Sequence, residues 1–162
     1  MLALTKKTDY ALIALSHLAA NGNQVANARA IAARYHIPVA LLMNVMKSLA
    51  HTGIVRSVRG SKGGYVLAVR PQDVSLHTVI LAIEGPVEFV SCVEPPGENG
   101  EASCELLSVC PISRPVRRVH DRLEQFLKDV TLTEIASEAC ECGCHEHAGT
   151  IPLGTARVEL KT

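Results

Sequence analysis

The chain has no tryptophan, and only two phenylalanines and three tyrosines among its 162 residues. An aromatic-centred core is therefore excluded. The interior has to be aliphatic (Leu, Val, Ile, Ala), which favours a helix-rich fold. No stretch of about 18 uncharged apolar residues occurs, which excludes a membrane-spanning helix. Hydrophobic residues still make up 48% of the chain, so whole-chain disorder is excluded as well. Cysteine is missing from the first 91 residues, whereas a small secreted domain would spread disulfides throughout its fold. Acidic residues are nearly missing from the first seventy positions. Nine Lys/Arg face the single acid Asp9 there, a balance of +8, and the remainder of the chain carries −8. A zero net charge thus hides two oppositely charged halves, and the basic one suits a polyanion.

The opening Lys6-Lys7 and the apolar run 10–15 superficially match a signal peptide. Asp9 and His17 interrupt that pattern, and a reduced, cytoplasmic chain is the expectation. The spacing of Ala11, Leu12, Leu15, Leu18 and Ala19 predicts a helix over 8–20, capped by Thr8 or Asp9 and closed at Asn21-Gly22-Asn23. Asn27 is placed to cap a short helix running to Arg34. His36-Ile37-Pro38 then forms a turn, and a third helix over 38–51 puts Leu41, Leu42, Val45, Met46 and Leu49 inside, ending at Gly53. Two strands, 54–58 and 65–69, flank Gly60-Ser61-Lys62-Gly63-Gly64. Ser75 caps a further helix that ends at Glu84, before Gly85-Pro86. A loop over 86–111 is rich in Pro, Gly, Glu and Cys, and a segment of that length without structure implies a function or an ordering ligand.

A long helix over 113–129 carries Ile112, Val116, Val119, Leu123, Phe126 and Val130 at alternating spacings of four and three. That is a heptad seam, which reads as a dimerisation helix, the plainer alternative being an ordinary core-facing helix. Thr133-Glu134-Ile135-Ala136 adds a short helix. The expected division is a DNA-binding domain over 1–85, a cysteine-bearing loop over 86–111, the dimerisation and short helices over 112–137, and a poorly ordered tail over 138–162 rich in Cys and His.

Helix, short helix, tight turn, helix and two-stranded ribbon make a mainly α fold, a winged helix-turn-helix with a two-stranded wing and a long C-terminal dimerisation helix. The third helix would enter the major groove of double-stranded DNA, and the ribbon would reach phosphate or the minor groove. Arg56, Arg59 and Lys62 lie on or beside the Gly-rich tip, where small residues permit close approach to a nucleic-acid backbone. A solvated basic turn is the plainer alternative. A nucleotide loop is disfavoured, because the Gly-Lys-Ser/Thr ending is missing and a strand follows, not a helix. On the third helix, Ala40, Met43, Asn44 and Lys47 form the candidate reading face; only Asn44 suits bidentate recognition of adenine, and Lys47 suits phosphate.

Three segments, Leu4-Thr5-Lys6-Lys7-Thr8-Asp9-Tyr10-Ala11-Leu12, Val58-Arg59-Gly60-Ser61-Lys62-Gly63-Gly64-Tyr65 and Ile80-Leu81-Ala82-Ile83-Glu84-Gly85, occur in an order that resembles the IscR/NsrR-type winged-helix regulators (the Rrf family). The resemblance covers about residues 1–135. It implies a homodimeric bacterial transcription factor, pairing through the long helix, with Arg59 entering the minor groove. Many such proteins carry an iron–sulfur cluster that senses iron, nitric oxide or cluster demand. It further implies Cys92, Cys104 and Cys110 as cluster ligands, and thiolates are soft donors suited to [2Fe-2S] or [4Fe-4S] clusters. The chain departs from the family in its first ligand gap, which is eleven residues long and includes a turn-forming insertion over 94–100. In nitric-oxide-sensing relatives the fourth ligand corresponds to Asp9 of the partner subunit. The histidine that serves in cluster-biogenesis regulators is replaced here by Ser113.

Cys140, Cys142, Cys144, His145 and His147 fall within eight residues and have no counterpart in the family's common core. These donor types suit zinc or copper(I) and form a candidate second metal site. No nucleophile constellation or nucleotide loop points to an enzyme. The alternative to a cluster sensor is a regulator of the same fold without a cluster, responding to thiol oxidation or a small ligand.

Overall fold

The computed structural model describes residues 4–22, 24–60, 62–87, 104–107 and 109–141, with side chains through 137. Among the described residues six helices and a two-stranded sheet follow one another: α1 (Lys6–Ala20), α2 (Ala28–Arg34), α3 (Val39–His51), β1 (Val55–Val58), β2 (Gly64–Leu67), a 3-10 turn at Pro71–Asp73, α4 (Leu76–Glu84), α5 (Ser113–Asp129) and α6 (Leu132–Glu141).

The core is aliphatic, as the aromatic shortage demands. Ala11, Ala14, Leu15 and Leu18 of α1 pack against Ile31 of α2, against Leu42, Met46 and Leu49 of α3, and against Val55, Val74, Val79 and Leu132. Each fully buried Leu or Ile contributes roughly 1.5–3 kcal/mol of transfer free energy. Leu41, expected inside, is 41% exposed. It stands one position off the buried Leu42, Val45, Met46 and Leu49 stripe, and only that stripe faces α1 and α2.

The start of α1 also differs from the expectation. Thr5 is the cap, its hydroxyl accepting the Lys7 N–H. Thr8 is fully buried in the first turn and Asp9 is exposed there. Asn27 caps α2 by accepting from the Arg29 N–H at 2.8 Å, and Ser75 caps α4 by accepting from the Thr78 N–H at 3.1 Å.

β1 and β2 pair antiparallel in the register Val55↔Leu67 to Val58↔Gly64. The sheet has an unannounced neighbour: Ala26 exchanges both backbone hydrogen bonds with Tyr65, each 2.9 Å, and so acts as a one-residue third strand just before α2. This bridge fastens the wing to the helix-turn-helix.

α5 packs on α4, where His77 Nε2 stands 3.3 Å from Glu124 Oε1, and Glu124 in turn pairs with Lys128 at 2.9 Å. Lys128 donates to the Glu124 carboxylate and holds it below the usual carboxylate range. The chain then returns to the start of α4: the Leu76 N–H bonds Val130 O and the Leu132 N–H bonds Val74 O. Leu132 is thereby buried in the same core as α1, and the final helix extends well beyond the short one expected, through Glu141.

Leu127 is buried in α5, whereas the heptad seam faces away from this core. Ile112, Val119 and Phe126, seven residues apart, are 61%, 52% and 60% exposed, and Val116, Leu123 and Val130 are half-buried. α5 thus meets its own domain through Leu127 and the half-buried side of the seam, and leaves Ile112, Val119 and Phe126 exposed in the single chain.

Candidate nucleic-acid interface and cysteine loop

The turn between α2 and α3 is tight for a physical reason. His36 adopts φ of 53°, a left-handed conformation uncommon outside glycine. The Ile37 N–H then bonds back to Ala32 O at 2.9 Å, and Pro38 O accepts the Leu41 and Leu42 N–H groups that begin α3. α3 consequently presents Ala40, Asn44 and Lys47, with half-buried Met43, on one face at helical spacing.

At the wing tip Gly60 has φ of 129°, and its carbonyl accepts the Gly63 N–H at 2.9 Å. A side chain at Gly63 would meet Val58 O and Gly60 O; one at Gly64 would meet Ala26 O at 2.3 Å. These two glycines are thus required by close backbone approach, Gly64 by the bridge to Ala26.

Between wing and helix-turn-helix lies a groove of about 390 Å³, with Met43 of α3, Arg29 at the start of α2, and Ser57, Arg59, Gly60 and Gly63 of the wing on its walls. Arg59 and Met43 therefore line the same groove. Arg56, by contrast, alternates with Ser57 along β1 and is not part of the groove wall; Lys62 is exposed at the tip. Asn44 lines a second, smaller depression of about 110 Å³ with Lys7, Leu41, Ser48 and Ile83. Arg29 is the residue that the pattern of the sequence did not single out. Its signal was present, since it is a cation in a helix first turn where an acid is the usual choice.

The carboxylate of Glu84, at the end of α4, accepts hydrogen bonds from the Thr5 N–H, the Thr5 hydroxyl and, at 2.6 Å, the Thr8 hydroxyl. These donors hold it below the usual carboxylate range. Glu84 so joins the helix that leads into the cysteine loop to the turn that carries Asp9. At the other end of α1, the Asn21 side chain donates to His17 Nε2 at 2.8 Å, which leaves Nδ1 to donate to the Tyr35 hydroxyl at 3.2 Å. Burial, and after it the Arg34 charge, lowers the His17 pKa.

Cys104 and Cys110 are half-buried free thiols on the approach to α5. Cys104 O accepts the Leu107 N–H and Cys110 O accepts the Ser113 hydroxyl, each at 3.1 Å. Cys92 lies outside the described residues, as do Cys142, Cys144, His145 and His147; Cys140 falls in the last turn of α6. Among the described residues no three His, Cys, Asp or Glu side chains converge on a metal position. Two soft sulfur donors separated by five residues suit an iron–sulfur cluster in donor chemistry. No described helix is long and apolar enough to cross a membrane.

The tight turn, α3 and the bridged wing define a winged helix-turn-helix protein, the class of fold that presents a helix to DNA. The chain belongs to the Rrf2 family, described as iron-dependent transcriptional regulator, whose profile matches residues 4–138. It is 32% identical over 133 residues to the HTH-type transcriptional regulator IscR of Vibrio cholerae, covering 82% of this chain and 73% of that one. It is 28% identical over 132 residues to Protein aau3 of Rhizobium meliloti, covering 82% and 83%. Among solved structures it is similar to CymR (YrzC), the global cysteine regulator of B. subtilis, with TM-score 0.67, 28% identity and coverage of 85% and 98%. It is also similar to T. potens IscR, with TM-score 0.63, 25% identity and coverage of 90% and 94%.

Proposed function

We propose that this transcriptional regulator is a cytoplasmic homodimer that binds double-stranded DNA and senses iron, cluster status or nitrosative and oxidative stress through an iron–sulfur cluster. Cys92, Cys104 and Cys110 would hold the cluster, with Asp9 of the partner subunit as the fourth ligand. The observation that carries this reading is the position of the Cys104 and Cys110 thiols ahead of α5, a helix whose apolar seam is partly exposed among the described residues. When bound, the cluster supplies electron-transfer and ligand-exchange chemistry.

The chain's own residues do the rest. Cys110 is tied to the first turn of α5 through Ser113, so the position of the ligand loop and that of the pairing helix are linked. Asp9 follows Thr8, which Glu84 holds, so its exposed carboxylate is presented from a pinned turn. Ala40, Met43, Asn44 and Lys47 would face the major groove, and Arg56, Arg59 and Lys62 the backbone or minor groove. Half-sites lie about one helical turn apart, so a small rotation between subunits alters affinity strongly.

Protein purified without oxygen should be brown, with iron and sulfide in stoichiometric amounts. Alanine at Cys92, Cys104 or Cys110 should each remove the chromophore, and Asp9→Ala should weaken it. Holo and apo forms should differ at least about tenfold in operator affinity, roughly 1.4 kcal/mol of coupling. A chromophore that survives all three cysteine substitutions overturns the ligand assignment. In that event Cys140, Cys142, Cys144, His145 and His147, our candidate second metal site, become the ligands to examine; a chain ending near Ala139 should otherwise retain colour and iron.

A second reading, a cluster-free regulator responding to thiol oxidation or a small ligand, is supported by the two free thiols and by likeness to Staphylococcus aureus CymR, solved in an oxidized form (TM-score 0.60, 26% identity, coverage of 83% and 96%). A colourless protein whose DNA affinity changes on thiol oxidation is the outcome that favours it.

A further inference from the structure

The groove between α2 and the wing has a charge problem that the chain does not solve internally. Arg29, at the start of α2, and Arg59, of the wing, both line it. No acidic residue occurs anywhere between Asp9 and Asp73, the span that builds α2, α3 and the wing. Among the described residues no ion pair engages either guanidinium, whereas Arg70, just past the wing, is paired bidentately with Asp73 at 2.7 and 3.2 Å. Two guanidiniums facing one groove repel each other, and an anion placed between them removes that cost.

The walls suit a particular anion. Gly60 and Gly63 carry no side chain, and Ala28 and Asn27 are small, so a nucleic-acid backbone can approach closely. Met43 supplies an apolar surface suited to a deoxyribose. Arg29 and Arg59 offer planar donor forks matched to phosphate oxygens. The segments that carry the two are also tied together. The Ala26–Tyr65 bridge locks the wing to the segment leading into α2, and the Asn27 cap engages the Arg29 backbone, leaving its side chain free.

We infer that Arg29 and Arg59 form a two-sided clamp for one backbone phosphate of duplex DNA, so that wing and α2 grip the same strand while α3 reads the adjacent groove. Arg29 is a positioning residue in this scheme: it sets register along the strand and carries no base specificity. The inference rests on the DNA-binding reading, and the experiment separates the two.

Binding of the full chain to a 30-base-pair duplex of random sequence is measured by fluorescence anisotropy from 50 to 300 mM KCl. Loss of one phosphate contact per subunit lowers the slope of log K against log salt by about one per subunit. Arg29→Ala should show that reduction and weaken binding to all sequences alike; Arg29→Lys should recover most of the slope. Arg70→Ala should leave it unchanged, since Arg70 is satisfied by Asp73. A circular-dichroism melt of each variant identifies loss of fold, and Arg29→Gln supplies a second neutral replacement should Arg29→Ala unfold. A wild-type slope in folded Arg29→Ala or Arg29→Gln, with a reduced slope in Arg59→Ala, overturns the clamp while DNA binding stands. Failure of the wild-type chain to bind duplex at 50 mM KCl overturns both.

Discussion

Thr8 donates its hydroxyl hydrogen to the carboxylate of Glu84 across 2.6 Å, and the two stand 76 positions apart in the chain. Thr8 is fully buried, so this hydroxyl has no water to turn to, and Glu84 is its partner. The bond joins the first turn of α1 to the last residue of α4. Thr8→Val keeps the shape and removes the donor. It should cost about 1.5–3 kcal/mol in urea unfolding, the range for a hydrogen bond to a charged group. Because the Glu84 pKa is lowered in the folded chain, its stabilisation is present above the unfolded value of about 4.5 and is lost as pH falls through the lower folded value. Glu84→Gln should flatten stability against pH in that acid window; an unchanged acid limb means the bond is not energetically coupled to folding.

His17 supplies a second, separate pH effect. Its folded pKa is lowered, so between the folded value and the ordinary value of 6.5 the unfolded chain takes up the proton first. Stability should therefore fall as pH drops below about 6.5. His17→Gln should shrink the difference in urea midpoint between pH 7.5 and 5.5. An identical drop in both proteins rules out His17 as its source.

The exposed seam of α5 separates dimerisation from folding. Phe126 and Val119 are more than half exposed in the single chain, so truncating them should leave helix content intact. In the proposed dimer each buried anchor would be worth roughly 2–5 kcal/mol. Leu123→Ala with Phe126→Ala should raise the dissociation constant by several orders of magnitude, and Val119→Glu should act more strongly by placing a charge in the seam. Light scattering of the wild-type chain as a monomer would falsify the pairing.

Gly64 tests the coupling of wing and helix-turn-helix. A Cβ there would stand 2.3 Å from Ala26 O and 2.7 Å from Ala26 C, both backbone atoms with little room to yield. Gly64→Ala should displace the bridge, cost about 1–3 kcal/mol as an overpacked contact, and weaken duplex binding more than Lys62→Ala does. Unaltered melting and affinity would mean that the wing is held by its hairpin alone.

Much of this architecture is written in local pattern. Asn27 and Ser75 cap helices because side-chain oxygens at those positions meet free backbone N–H groups two or three residues on, a relation that any reader of the chain can see. Gly53 and Gly85 take positive φ at helix ends for similarly local reasons. The spacing of Leu42, Val45, Met46 and Leu49 likewise announces α3. The 4-3 spacing of Ile112, Val116, Val119, Leu123 and Phe126 announces an apolar stripe, and the clustering of cysteines after residue 91 announces soft-ligand or redox chemistry.

Other features depend on which surface covers which. Leu41 and Leu42 are chemically the same, yet α1 and α2 cover only one of them. Leu127 was hidden in pattern by the heptad beside it and is the buried residue of α5. Thr8 had the credentials of a cap and is instead the buried donor to a carboxylate on another helix. Ala26 acts as a strand only because Tyr65 arrives beside it, and Arg29 and Arg59 line one groove only because the wing lies against the segment leading into α2. The sequence by itself determined helices, turns and the caps at Asn27 and Ser75, which depend on backbone dihedrals and spacings within one or two turns. The tertiary structure decided exposure, long-range partners and the composition of the groove. Those depend on surfaces brought together by collapse around an aliphatic core, and no periodicity within a single segment specifies its neighbour.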